Sequence, residues 1–146
     1  MPTAPKVTDF PRIRVSLAVY RVLAYATGVF LLILCVEIIL KYIFGVEIEL
    51  GGPFGFIAFV QSGTVTATNL SIVIQITHGY LYLAYLVADF VLITFMRWPI
   101  SRFILIAAGG VIPLLSFFTE RRIHREVTEY LSARQAETAP TEVPHQ

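Results

Sequence analysis

The stretch from Leu70 to Met96 constrains the fold most, because it is a long apolar run that contains no Lys, Arg or Pro. An α-helix over these residues extends about 40 Å at 1.5 Å per residue. That length exceeds the hydrocarbon core of a bilayer, which is roughly 30 Å thick. The stretch therefore predicts a transmembrane helix over residues 70–96.

Polar side chains recur along one face of this predicted helix. His78, Tyr82, Tyr85 and Asp89 stand at positions i, i+4, i+7 and i+11, and Gln75 extends the face by one turn. A hydroxyl, imidazole or carboxyl group that faces lipid lacks hydrogen-bond partners. We therefore expect this face to turn toward protein or water, and we take it as the candidate functional face.

Composition supports a membrane protein. Of the 146 residues, 56% are hydrophobic, and the net charge is +1. Such an apolar excess in long runs is typical of membrane proteins, and the charge gives no reason to expect a nucleic-acid partner. The single cysteine, Cys35, excludes an internal disulfide and a site with several cysteine ligands. We expect no metal site and no cofactor.

Two further helices are predicted around the central one. The first covers about residues 17–44, after an irregular tail at 1–16, and it contains a close-approach pair of small residues, Ala24 and Gly28. The third covers about residues 103–118 and should be kinked at Pro113. The predicted fold is an all-α, three-helix transmembrane bundle over residues 17–119.

The connections have their own patterns. Glycines and Pro53 exclude a helix in the loop at 45–69, whose apolar side chains favour partial insertion into the membrane, with a surface for an external partner as the alternative. Residues 120–135 predict a polar helix with an apolar stripe, which lies on the membrane surface or docks onto a protein. The tail that completes 120–146 is expected to be disordered.

Three spans would place the two ends of the chain on opposite sides of the membrane. With the N-terminus inside, six Lys and Arg residues lie on the inside and five on the outside, so the positive-inside rule gives almost no preference. The loop with Glu47 and Glu49 is acidic and therefore favours the outside, which predicts a cytoplasmic N-terminus and an external C-terminus. A four-span alternative divides the cations eight against three. It would require the polar segment 53–69 to cross the membrane.

Two ion pairs are predicted from depth and spacing. In an antiparallel pair of helices, Arg21 and Asp89 lie near the same membrane surface, so we expect them to pair. Glu37 and Lys41 are four residues apart on one helix, in the order that favours a salt bridge.

The chain resembles DUF3817, a family of small integral membrane proteins of actinobacterial type. The resemblance covers about residues 17–123, and these residues carry it: YR at 20–21, TG at 27–28, LKY at 40–42, HGYLYLAYL at 78–86, RW at 97–98, Pro113, Phe117 and RR at 121–122. It implies three membrane helices and a bacterial inner membrane. It implies no catalytic residue.

Three functions are compatible with these features. The first is an accessory or structural subunit of a larger membrane assembly, with other membrane proteins or further copies of the chain as partners in the lipid bilayer. The second is a small oligomeric carrier or proton pathway along the polar face of the second helix. The third, a membrane enzyme, is the least favoured because no HExxH, GxSxG or phosphate-loop motif is present.

Overall fold

The computed structural model describes residue 5 and residues 7–138, and it is mostly helical. After a short 3-10 turn at Val7–Asp9, the elements follow in this order: α1 (Phe10–Ile43), β1 (Val46–Gly52), β2 (Gly55–Gln61), β3 (Thr68–Asn69), α2 (Leu70–Met96), α3 (Ile100–Ala108) and α4 (Leu115–Thr138). Helices dominate, as expected. The prediction of an all-α fold with three helices is wrong, because the described chain has four α-helices and a small sheet.

Helices α1 and α2 form an antiparallel pair, and both are long and apolar enough to cross a membrane. α2 covers the predicted residues, and the Asn69 side chain caps its start by accepting a hydrogen bond from the Ile72 N–H at 3.3 Å. α1 begins at Phe10, so residues 10–16 are helical and not an irregular tail. Pro11 permits this because proline is tolerated in the first turn of a helix.

The loop between α1 and α2 is a β-hairpin. The strand order is β2-β1-β3, and both pairings are antiparallel. Glu47 and Glu49 alternate with Ile48 and Leu50 along β1, and Phe59 lies opposite Ile48. Because successive side chains of a strand point to opposite faces, one face of the hairpin is acidic and the other is apolar. The sequence analysis recognised the glycine breaks but missed this alternation.

The prediction of one kinked third helix over residues 103–118 is wrong, because the chain reverses its direction within this range. α3 ends at Ala108, residues 109–114 are not helical, and Leu114 adopts a left-handed φ of 68°. α4 then runs back along α1, so that Arg14 Nη2 donates a hydrogen bond to Gln135 Oε1 at 2.9 Å. The start of α1 and the end of α4 therefore lie at the same end of the bundle, which contradicts the opposite ends expected from three spans.

The core lies along α1, against which both α2 and α4 pack. The apolar stripe predicted at the C-terminal helix is buried here through Ile123, Val127 and Leu131, in one cluster with Ile13 and Leu17 of α1. The stripe of α4 therefore packs within its own chain and lies neither on the membrane surface nor against another protein. The tail predicted to be disordered lies outside the described residues from 139 onward.

Candidate functional site

A buried polar cluster lies where α1, α2 and α4 meet. We define this polar cluster as Tyr20, Tyr85, Asp89, Thr119 and Glu120, which are all buried. The Tyr20 and Tyr85 rings stack with centroids 5.7 Å apart. The buried Tyr20 hydroxyl has no hydrogen-bond partner among the described residues, and neither do the two carboxylate oxygens of Asp89. Five polar side chains from three helices thus share one interior space.

Small residues bring α4 close enough to complete the polar cluster. A Cβ atom at Gly28 would collide with Ser116 Oγ and would lie 3.0 Å from Phe117 Cζ. Gly109 is equally restricted, because a Cβ there would lie 3.0 Å from Thr119 Oγ1. At Gly28 the predicted close approach is found, and its partner is the start of α4.

Two tyrosines of α2 anchor the end of α3. The Tyr85 hydroxyl donates to the Ile106 carbonyl at 2.6 Å, and the Tyr82 hydroxyl donates to the Ala107 carbonyl at 3.3 Å. The same two carbonyls also accept the Gly109 and Gly110 N–H groups, so each hydroxyl adds a second hydrogen bond to an acceptor at the end of α3. The contacts hold α3 against α2 at the point where the chain reverses.

The predicted polar face of α2 is covered in part by the chain itself. Tyr85 and Asp89 are buried, and Tyr82 is half-buried. His78 is half-buried, with its ring stacked 6.3 Å from the Tyr82 ring, whereas Gln75 is exposed. The cover therefore reaches only the part of the face that lies beside α3 and α4.

The ion pair predicted between Arg21 and Asp89 is wrong. Arg21 Nε lies 3.1 Å from Glu120 Oε1, and the two side chains are 50% and 2% exposed. Asp89 is fully buried, and neither of its carboxylate oxygens has a hydrogen-bond partner among the described residues. The reason is the return of α4, which brings a second carboxylate to Arg21.

The ion pair predicted between Glu37 and Lys41 is also wrong, because the hairpin folds back over the end of α1. Lys41 Nζ lies 2.7 Å from Glu47 Oε1, and the buried Glu37 accepts a hydrogen bond from the Ser71 hydroxyl. The Lys41 ammonium group lowers the pKa of Glu47, and the Gly63 N–H assists it. This contact fastens β1 to α1.

Glu49 holds the chain that leads from the sheet into α2. Its Oε1 accepts hydrogen bonds from the Thr66 N–H at 2.5 Å and from the Ala67 N–H at 2.6 Å. The Ala67 N–H is the largest cause that lowers the pKa of this carboxylate. Both acidic side chains of β1 are therefore used to fix the hairpin on the helix ends.

Sequence reasoning missed Tyr20, Thr119 and Glu120. Tyr20 precedes Arg21 in the chain, and Glu120 is the first acidic residue after the last apolar run. Neither position carries a local signal for its partner, since both depend on the reversal of the chain. Within residues 7–138, no group of three His, Cys, Asp or Glu side chains is arranged to hold a metal ion.

The fold and the buried polar cluster define a small helical protein with two helices that could cross a membrane. Residues 17–125 match the model of the family described as "Domain of unknown function (DUF3817)", and the chain belongs to this family. The resemblance drawn from the sequence is thus confirmed.

Relatives of similar length occur in mycobacteria. An uncharacterized protein of Mycobacterium leprae (strain TN) is 28% identical over 137 residues, which cover 94% of this chain and 95% of the relative. Uncharacterized proteins of Mycobacterium bovis and of Mycobacterium tuberculosis (strain H37Rv) are each 29% identical over 116 residues, covering 80% of this chain and 79% of the relative. No solved structure matches the chain.

Proposed function

We propose that the chain is an accessory or structural subunit of a larger assembly in the bacterial inner membrane, and that it is not an enzyme. The observation that carries this proposal is the reversal between α3 and α4. Gly28, which contacts the start of α4, lies 18 residues after Phe10 and 15 before Ile43. The reversal is therefore close to the middle of α1 and, with α1 in a bilayer, close to the bilayer centre.

Irregular backbone at that depth requires cover by protein or by enclosed water. The chain covers one side of the reversal, where Gly109 and Gly110 are buried. On the other side, Val111, Ile112 and Leu114 are 58%, 51% and 53% exposed. Their side chains are apolar, which favours a packed helix of a partner over a water-filled cavity. We define residues 111–114 as the reversal tip.

The half of the bundle beyond the reversal tip gives a second reason. There α1 and α2 run on without α3 or α4, and the exposed Gln75 and half-buried His78 belong to this half. An amide group that faces lipid lacks hydrogen-bond partners. A partner that packs beside the reversal tip would cover both features. That partner is another membrane protein or a second copy of the chain.

The positions of the cations support a cytoplasmic location for both described ends. Of the eleven Lys and Arg residues, Lys6 is outside the described structure and Lys41 lies at the hairpin end. Nine are at the end where α1 begins: Arg12, Arg14, Arg21, Arg97, Arg102, Arg121, Arg122, Arg125 and Arg134. The positive-inside rule places such an end in the cytoplasm. The N-terminal orientation from the sequence analysis is kept in this proposal, and the C-terminal one is replaced.

A carrier or proton pathway is the second candidate, because the buried Asp89 carboxyl group has no hydrogen-bond partner among the described residues. Intramembrane carboxyl groups often serve in proton relays. Here the neighbouring hydroxyls of Tyr82 and Tyr85 donate to backbone carbonyls of α3. Their protons are committed to structural contacts, which favours the subunit role over a relay through these residues.

The mass of the detergent-extracted protein tests the proposal. We expect native mass spectrometry in a mild detergent to detect a complex larger than one chain. Ile112→Trp should weaken that complex, because extra volume overpacks a protein interface. The matched control is Leu83→Trp, at an exposed position near the middle of α2, where fluid lipid accommodates the added ring.

Two outcomes would contradict the subunit role. The first is a single chain in all three proteins, with no co-purifying partner. The second is proton flux in proteoliposomes that is lost in Asp89→Asn while the mass of the extracted protein is unchanged, which would favour the pathway.

A further inference from the structure

A groove between the first turns of α1 and the second half of α4 has no role in the proposals above. Its volume is about 320 Å³. Arg14 and Arg21 line it from α1, and His124 faces them from α4. Leu17 and Leu131, which are buried, form an apolar floor. The groove thus combines two cations with an apolar base.

Contacts within the protein orient both arginines, and each arginine keeps N–H groups that can donate to a bound ligand. Arg14 and Arg21 are seven residues apart, which places them on one face of α1. Arg14 uses Nη2 for Gln135, and Arg21 Nε faces Glu120. A guanidinium group carries five N–H donors in a fixed plane, so each arginine retains further donors. Such donors match the oxygens of a phosphate.

The remaining lining favours an anion over a cation. None of the residues that line the groove is Asp or Glu. The hydroxyls of Thr128 and Ser132, which line it from α4, donate to the His124 and Glu129 carbonyls, so the donors for a ligand come from the arginines. His124 Nδ1 is buried and has no hydrogen-bond partner among the described residues. Because arginine side chains can only donate hydrogen bonds and the lining contains no carboxylate, a ligand that accepts hydrogen bonds fits this groove better than one that only donates them.

The depth and surroundings of the groove distinguish a lipid from a free ion. Arg14 and Arg21 lie about 6 and 17 Å along α1 from Phe10, within one leaflet if α1 spans a membrane. Val15 and Val22, next to the lining residues on α1, are 65% and 68% exposed. An acyl chain can lie along these valines while the headgroup occupies the groove. A free phosphate ion would use only the polar part.

We propose that this groove binds the phosphate headgroup of an anionic phospholipid from the leaflet in which α1 begins. Basic pockets between helices on the cytoplasmic side of membrane proteins bind anionic headgroups. The proposal does not depend on the subunit role, because the groove lies away from the reversal tip and needs no partner protein.

Lipid titration followed by native mass spectrometry tests the proposal on the full chain. We compare phosphatidylglycerol with phosphatidylcholine of the same acyl chains. Both lipids carry a phosphate, but the choline cation of phosphatidylcholine is repelled by the two arginines, so we expect the anionic lipid to be retained at least about tenfold more strongly. Arg14→Gln should remove most of this preference. The matched control is Arg12→Gln, which changes an exposed arginine of α1 outside the groove.

A second variant tests the place of binding without a change in charge. Thr128→Trp adds a ring at the exposed edge of the groove and should lower retention of phosphatidylglycerol as strongly as Arg14→Gln does. Circular dichroism melting checks that both variants remain folded. Equal retention of the two lipids by the wild-type chain, or an equal loss in Arg12→Gln and Arg14→Gln, would overturn the proposal. Full displacement of the lipid by inorganic phosphate at similar concentration would assign the groove to a small anion.

Discussion

The ion partner of Arg21 decides between two arrangements of the bundle, and double-mutant cycles can measure it. The structure pairs Arg21 with Glu120, whereas the sequence predicted Asp89. We expect Arg21→Gln to destabilise the fold, because the nearly fully buried Glu120 carboxylate then loses its cation. Glu120→Gln should cost less, since the half-exposed Arg21 can reach water. Asp89→Asn should be neutral or stabilising, because it removes a buried carboxyl group that has no hydrogen-bond partner in the described part of the chain.

The magnitude follows from the geometry of the pair. Two unit charges 3.1 Å apart attract by about 5 kcal/mol at an effective dielectric constant of 20. The Arg21 side chain is half exposed, so water screens it and a large part of this energy is lost. We expect Arg21→Gln to cost about 2–3 kcal/mol, below the usual range for a fully buried pair. The coupling energy between Arg21 and Glu120 should be about 1–2 kcal/mol.

The assay is the free energy of unfolding in mixed detergent micelles, followed by circular dichroism. Two cycles are measured, one for Arg21 with Glu120 and one for Arg21 with Asp89. The first should be non-additive, and the second should be additive within about 0.5 kcal/mol. If the Asp89 cycle shows the larger coupling, or if Asp89→Asn destabilises as much as Arg21→Gln, then α4 does not return along α1 as described.

Two further predictions concern the anchor of α3 and the hairpin. Tyr85→Phe should lower the free energy of unfolding by about 0.6–1.7 kcal/mol. The loss should be near the lower limit, because the Ile106 carbonyl keeps its hydrogen bond from the Gly109 N–H. A thermal melt checks this, with Tyr80→Phe as an exposed control that is expected to be neutral. Folding lowers the pKa of Glu47 and Glu49, so their stabilisation of the hairpin is present above the ordinary carboxyl pKa and is lost as pH falls through the lowered values. The protection factors of the β1 amides, which are corrected for the intrinsic pH dependence of exchange, should therefore fall at acid pH. Substituting both residues with Gln should remove this fall, and protection factors that are independent of pH in the wild-type chain would refute the prediction.

The sequence alone was sufficient to predict the helix α2, the protein family and the apolar stripe of α4. The apolar run is longer than the bilayer thickness, which indicates the length of the helix, and the capping Asn69 before it marks the residue where the helix begins. The stripe at Ile123, Val127 and Leu131 is likewise a local periodicity, which reports that one face must be buried. It does not report which surface buries that face, so α1 could not be identified as the partner.

Only the tertiary structure decided the direction of the chain after α3 and the partners of its charges. Gly109, Gly110 and Pro113 indicate an interruption, but a kink and a reversal use the same residue types. The reversal depends on a distant contact, since α4 fits along α1 only where Gly28 leaves room for Ser116 and Phe117. Because that contact brings Glu120 to Arg21, and Asp89 has no ion-pair partner within residues 7–138, depth along the helices was not enough to assign the ion pair.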